Sequence, residues 1–270
     1  MLQTLALAAA LSLAPAQNGA LTLNNERITQ GGILGSKRAS ADFIPGDVVY
    51  FSWNIENMQL TPKGTVEYTI GLEVTDAMGR PVFSAPPASR IEVTLPQGGT
   101  KLQASAYFGI EPSQKEGPLT CRISVRDVTA GVTKTSTQKI NVLPARFGLV
   151  GVTAYLHPER QVASPLQLVE GQTLWLGFGV VGFARGAGNG QPNIAVELQI
   201  LQGGKPLAQP IVVTLNPNKV VPAGQELIDF GTQPLPMNRT GDFTIEVTAR
   251  DKAGNKTDKV TLPLTVTAVK

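Results

Sequence analysis

Apolar and polar residues alternate along most of this chain with a period of two, the mark of β-strands that bury one face and expose the other. In the segment 119–126, Leu119, Cys121, Ile123 and Val125 alternate with Thr120, Arg122, Ser124 and Arg126. In 243–250, Phe243, Ile245, Val247 and Ala249 alternate in the same way with Thr244, Glu246, Thr248 and Arg250. Both segments run into a glycine-bearing turn, RDVTAGVTKT and RDKAGNKT, where glycine can take the positive φ that a hairpin needs. Closing strands are predicted at 139–143 and 262–267, and VEYTIGLEVTDAMGRPVF over 66–83 reads as another hairpin.

These elements occur twice, in one order. GDVVYFSW at 46–53 matches GQTLWLGF at 171–178, and GRPV from Gly79 matches GKPL from Gly204. IEVTL matches IVVTL, Phe108-Gly109 matches Phe230-Gly231, and GPLTCRISVRD matches GDFTIEVTARD. Five matching blocks in sequence indicate a tandem duplication. The predicted domains cover residues 20–144 and 147–267, joined through Pro144-Ala145-Arg146, with about seven short strands in each, the count of an immunoglobulin-like sandwich.

Composition agrees with an all-β chain. Among 270 residues there are 28 glycines and 20 prolines, which favour turns and leave little room for helix. The formal charge of +3 is scattered rather than gathered into a basic stripe, so nucleic acid is not an expected partner. Cys121 is the single cysteine, so stability must rest on apolar burial and not on an intrachain disulfide. At the start, LALAAALSLAPA over 5–16 is apolar, too short to span a bilayer, and ends in the A-x-A pattern Ala14-Pro15-Ala16. Residues 1–16 are therefore expected to be a signal peptide, although no lysine or arginine precedes the apolar run, and the mature chain to be periplasmic or extracellular with no membrane span.

GFGVVG at 177–182 spells G-x-G-x-x-G, the glycine pattern of dinucleotide sites. That pattern requires a helix after its last glycine, and FARGAGNGQPN follows instead; the first repeat has Ser52 and Asn54 where Gly177 and Gly179 stand. No cofactor is expected. Strand parity gives the segment another meaning. Val49, Phe51, Trp53 and Ile55, matched by Leu174, Leu176, Phe178 and Val180, form the core face, so Tyr50 and Trp175 point outward. Gly177 and Gly179 leave bare backbone beside Trp175, with room for an indole to lie flat or another backbone to approach. Trp175, Tyr50, Gly177 and Gly179 are thus the candidate partner-binding residues; the competing reading is that the neighbouring domain or the first strand covers this face.

Catalytic chemistry is sparse. His157 is the sole histidine, in a loop before Pro158, and no serine or cysteine motif pairs with it. Asp76, Asp127 and Asp251 stand singly at turns, where capping is their ordinary role; no zinc site is expected, and a weak calcium site stays open. The loops 56–64 and 183–193 are the predicted variable recognition surfaces.

VVYFSW with Trp53, the entries GPLTC and GDFTI to a penultimate strand, and the RDKAGN hairpin resemble the tandem immunoglobulin-like and fibronectin type III-like modules of secreted bacterial proteins. The immunoglobulin disulfide is missing, because Cys121 has no mate. The resemblance implies two β-sandwiches and a non-enzymatic binding or spacer role at the cell envelope or exterior, toward a protein or a glycan. A second reading is a non-catalytic accessory subunit of an exported enzyme.

Overall fold

The computed structural model describes residues 19–87, 89–188, 190–215 and 220–269, so the expected signal peptide lies outside the described residues. Within them every regular element is a strand. The first group comprises β1 (Thr22–Thr29), β2 (Asp42–Phe43), β3 (Val48–Glu56), β4 (Thr65–Thr75), β5 (Pro81–Ala85), β6 (Ile91–Thr94), β7 (Leu102–Gly109), β8 (Gly117–Asp127) and β9 (Val132–Val142). The second comprises β10 (Gly148–Tyr155), β11 (Gln167–Val169), β12 (Thr173–Val181), β13 (Ile194–Gln202), β14 (Lys205–Pro206), β15 (Ile211–Thr214), β16 (Leu227–Pro236), β17 (Gly241–Asp251) and β18 (Lys256–Thr267). Nine strands per group exceed the seven or so expected. The excess lies in edge pieces such as β2 and β14, of two residues each, which are too short to leave a periodic signal.

Each group forms two sheets packed face to face. In the first, β1-β3-β7 opposes β2-β9-β8-β4-β5, with β6 also on β4; in the second, β10-β12-β16 opposes β11-β18-β17-β13-β14, with β15 on β13. All pairings are antiparallel except β2 with β9 and β11 with β18. The repeat extends to its irregularities. The ladder of β1 on β3 shifts between Asn24 and Arg27, and that of β10 on β12 shifts at the equivalent place, between Val150 and Thr153.

One matched block is not structurally equivalent. Phe108 pairs with Val49, whereas Leu174, the counterpart of Val49, pairs with Leu235. Phe230 and Gly231 instead fall within a shift of the β16 ladder between Asp229 and Thr232, and Gly231 takes φ +76°. Local identity of two residues had matched a bulge to a regular ladder position.

The alternating side chains fill two cores. Val49, Phe51, Trp53, Ile55, Leu174, Leu176, Phe178 and Val180 are all 2% exposed or less, as are Cys121, Ile123, Val125, Ile245, Val247 and Ala249. Each fully buried Phe or Trp withdraws roughly 150–250 Å² from water, about 4–6 kcal/mol gross at ~25 cal/mol per Å². The aspartates at the turns do more than cap. Buried Asp251 accepts N–H groups of Ala253 and Gly254 in its own turn and of Ala184 in the loop after β12. Asp127 likewise accepts from Ala130 in its turn and from Gln59 in the loop after β3. The two predicted recognition loops are therefore fastened at their roots. Met58 is buried in the first core, and Arg185 donates to the carbonyls of Gly190, Val221, Pro222 and Gln225.

Candidate partner-binding face

Tyr50 on β3 and Trp175 on β12 occupy equivalent register positions on the sides of the three-stranded sheets that face away from the cores, and both are half-buried. The structure joins them through two tyrosines. Tyr50 is the cross-strand partner of Tyr107 on β7, with ring centroids 5.4 Å apart. On its other side Tyr50 meets Tyr155 of β10, which helps to raise the pKa of its hydroxyl and is in turn the cross-strand partner of Trp175. Trp175 then pairs with Pro234 of β16. A contiguous row, Tyr107, Tyr50, Tyr155 and Trp175, thus crosses from the first group of sheets to the second. Its end at Tyr107 is open, 65% exposed. Burial, followed by the neighbouring Tyr155 and Tyr107, pushes the Tyr50 hydroxyl up to about 12.

The bare backbone at Gly177 is occupied by the chain itself. A Cβ there would stand 3.0 Å from Tyr155 Cε2 and 3.2 Å from Arg160 Nε. Arg160 lies over this position because both its terminal nitrogens donate to Asp229, at 2.9 and 2.6 Å, a bidentate pair that fixes a planar guanidinium. At Gly179 a Cβ would come 3.2 Å from the Ile228 carbonyl oxygen and 3.4 Å from Val150 Cγ2. Both glycines are buried, as are Ser52 and Asn54, their counterparts in the first repeat. The outward face is therefore closed along its middle and open at its rims.

Sequence reasoning singled out Tyr50 and Trp175 and missed Tyr107, Tyr155 and Arg160. Tyr107 was legible, since ASAYFG continues an alternating strand whose Phe108 faces the core. The contact between Tyr50 and Tyr155 was not, because it depends on how the two groups of sheets meet. His157 lies in an exposed bend beside Glu159. Among the described residues no cluster of three or more histidine, cysteine, aspartate or glutamate side chains could hold a metal ion. No helix of the described residues is long and apolar enough to cross a membrane.

No protein-family model matches the sequence, and no curated protein matches it. Among solved structures, the chain is similar at 9% identity to the C-terminal domain of the Streptococcus agalactiae AgI/II polypeptide BspA, covering 90% of this chain and 100% of that one with a TM-score of 0.29. Similarity to the C-terminal domain of the Streptococcus pyogenes antigen I/II-family protein AspA is 11% in identity, over 89% of this chain and 98% of that one, with a TM-score of 0.29. The Pseudomonas fluorescens alkylpurine DNA glycosylase AlkC, bound to DNA containing an abasic site analog, is 10% identical over 44% of this chain and 30% of its own, with a TM-score of 0.28. At scores this low, none of these likenesses identifies an activity for the chain.

Proposed function

We propose that this chain is an exported, non-enzymatic binding or spacer protein. It consists of two tandem immunoglobulin-like sandwiches, residues 20–144 and 147–267, behind a signal peptide at 1–16, and its partner is a protein or a glycan. The observation that carries the reading is the aromatic row. Tyrosine and tryptophan combine a flat apolar surface with a polar edge, and they anchor many interfaces for that reason. Here four of them line up across two sheets, with Tyr107 open at one end. A row that spans both sandwiches also requires the two to hold one relative position, which suits a rigid presenting scaffold.

The test is a capture experiment from envelope extracts with the mature chain, repeated with Tyr107→Ala, Trp175→Ala and Phe178→Ala. Phe178 is 1% exposed in the second core, so its removal should cost roughly 3–5 kcal/mol of stability without touching the row. Half-buried Trp175 should cost about 1–2 kcal/mol. Loss of the captured partner with Tyr107→Ala and Trp175→Ala at intact fold supports the reading. Capture unchanged by both substitutions removes the row as the binding face.

A further inference from the structure

The joint between the two groups of sheets is a fitted contact whose own copies appear at the ends of the two halves that point away from it. From the first group come Ile44, Gly46 and Asp47; from the second come Val150, Gly151, Val181 and Leu227. Ile44, Val150 and Val181 form a buried cluster, with Leu143 and Leu227 against it. The Asp47 carboxylate accepts the Gly151 N–H at 2.9 Å and is paired with Arg38. Gly46, at φ +91°, is approached so closely that a Cβ would stand 2.6 Å from Val181 Cγ1.

Because the two halves are repeats, each carries a second version of the surface that its neighbour used. At the end of the second half away from the joint, Val169, Gly171 and Gln172 take the places of Ile44, Gly46 and Asp47. Gly171 has φ +93° and donates its N–H to the Met237 carbonyl, as Gly46 does to that of Ile110. Met237 N–H returns to Gln172, as Ile110 N–H returns to Asp47. This corner is ready-made, and Val169 on it is 36% exposed.

The receiving surface at the end of the first half away from the joint has the same backbone and the opposite chemistry. By strand register, Asn24 stands where Val150 does, Glu56 where Val181 does, and Lys101, just before Leu102, where Leu227 does. Even the left-handed residue of the bulge recurs, Asn25 at φ 51° for Gly151 at φ 58°. Three apolar positions have become an amide, a carboxylate and an ammonium, tied together by Asn24 Nδ2 donating to Glu56 at 2.9 Å and by Lys101 pairing with Glu56 at 2.8 Å. Docking a Val169 corner on this set would strip water from an ion pair and an amide against an apolar Val169, with the Gln172 oxygen already taken by the Val169 N–H, which is strongly unfavourable.

We propose that Asn24, Glu56 and Lys101 form a polar cap that prevents a second copy of this chain from docking head to tail through the joint geometry. Head-to-tail contacts that do not close generate open filaments, and a repeat stack needs a polar terminal face to stop there. The joint is thus used between these two halves and denied between chains.

The full chain carrying Asn24→Val, Glu56→Val and Lys101→Leu tests this by light scattering. The native chain is expected to keep the mass of one copy, and the variant to rise roughly twofold or more as its concentration increases. A folded variant that stays at one copy throughout, or a native chain that stacks, overturns the proposal. The reciprocal variant Val150→Asn, Val181→Glu and Leu227→Lys, which gives the joint the cap's chemistry, covers the case in which the first does not fold. Spin labels at cysteines introduced for exposed Met78 and Val212, one in each half, should then report a broadened distance distribution. A distance as narrow as in the native joint would show that these polar residues are compatible with docking, which also overturns the proposal.

Discussion

Replacing Asp251 by alanine should be among the most damaging single changes in the second half, although it removes only a carboxyl group. Asp251 is 1% exposed, and its carboxylate accepts three backbone N–H groups, from Ala184 at 2.8 Å and from Ala253 and Gly254 at 3.1 Å each. Hydrogen bonds to a charged group contribute about 1.5–3 kcal/mol each, but they share one acceptor and do not add fully. Allowing for that sharing, Asp251→Ala should cost about 3–5 kcal/mol, much of it from N–H groups left unpaired. Asp251→Asn keeps one acceptor oxygen but turns an NH2 toward a backbone donor, so it should fall between, at about 1–3 kcal/mol. Denaturant unfolding gives the totals, and hydrogen exchange gives the location: the Ala184 and Gly254 amides should lose protection well before Ile245 on the adjoining strand. If Asp251→Ala costs less than about 1 kcal/mol, the carboxylate does not fasten the loop after β12, and the rigidity assigned to residues 183–193 has no basis.

Cys121 is fully buried, and burial pushes its thiol from an ordinary 9.0 up to about 12. The raised value favours the neutral form in the fold, so its contribution is whole below pH 9 and is lost as the pH rises toward 12, because the unfolded chain ionises first. At ~1.4 kcal/mol per pH unit the loss amounts to about 4 kcal/mol, and Cys121→Val should flatten this part of an alkaline stability curve. Thiol reagents should label native Cys121 slowly; rapid labelling would place the residue off the core face. A fragment ending at Leu143 should show its own cooperative thermal transition, since its core cluster draws only on residues of the first half, and absence of a transition would argue for one shared core. N-terminal sequencing of the exported protein should begin near Gln17; a chain that still starts at Met1 removes the signal peptide from the proposal.

The strands were legible wherever one face is buried and the other wet. Cys121 and Ile245 fall on the predicted core face because a period of two admits only one alternative register, and that register would bury Arg122 and Glu246. The edge strands were not legible, since the two residues of β2 or β14 carry no period. Asp127 and Asp251 were legible as turn residues, but the loop amides they hold, from Gln59 and Ala184, lie 68 and 67 residues away along the chain. Nothing in the local pattern points across that distance.

The candidate face shows the same division more sharply. Parity alone put Tyr50 and Trp175 on the outward side, yet the space beside Gly177 could only be assigned once Tyr155 and Arg160 were seen lying in it. Arg160 is held there by Asp229, which sits at the β16 bulge where the repeat alignment slips by matching Phe230-Gly231 to Phe108-Gly109. The bulge, the ion pair and the glycine therefore form one local departure from the repeat, confined to the second half. The first half has Ser52 in place of Gly177 and an unbroken β7 ladder from Leu102 to Gly109. Duplicated sequences reveal their common fold through what the copies share; here the features that distinguish the candidate face and the joint are found where the copies differ.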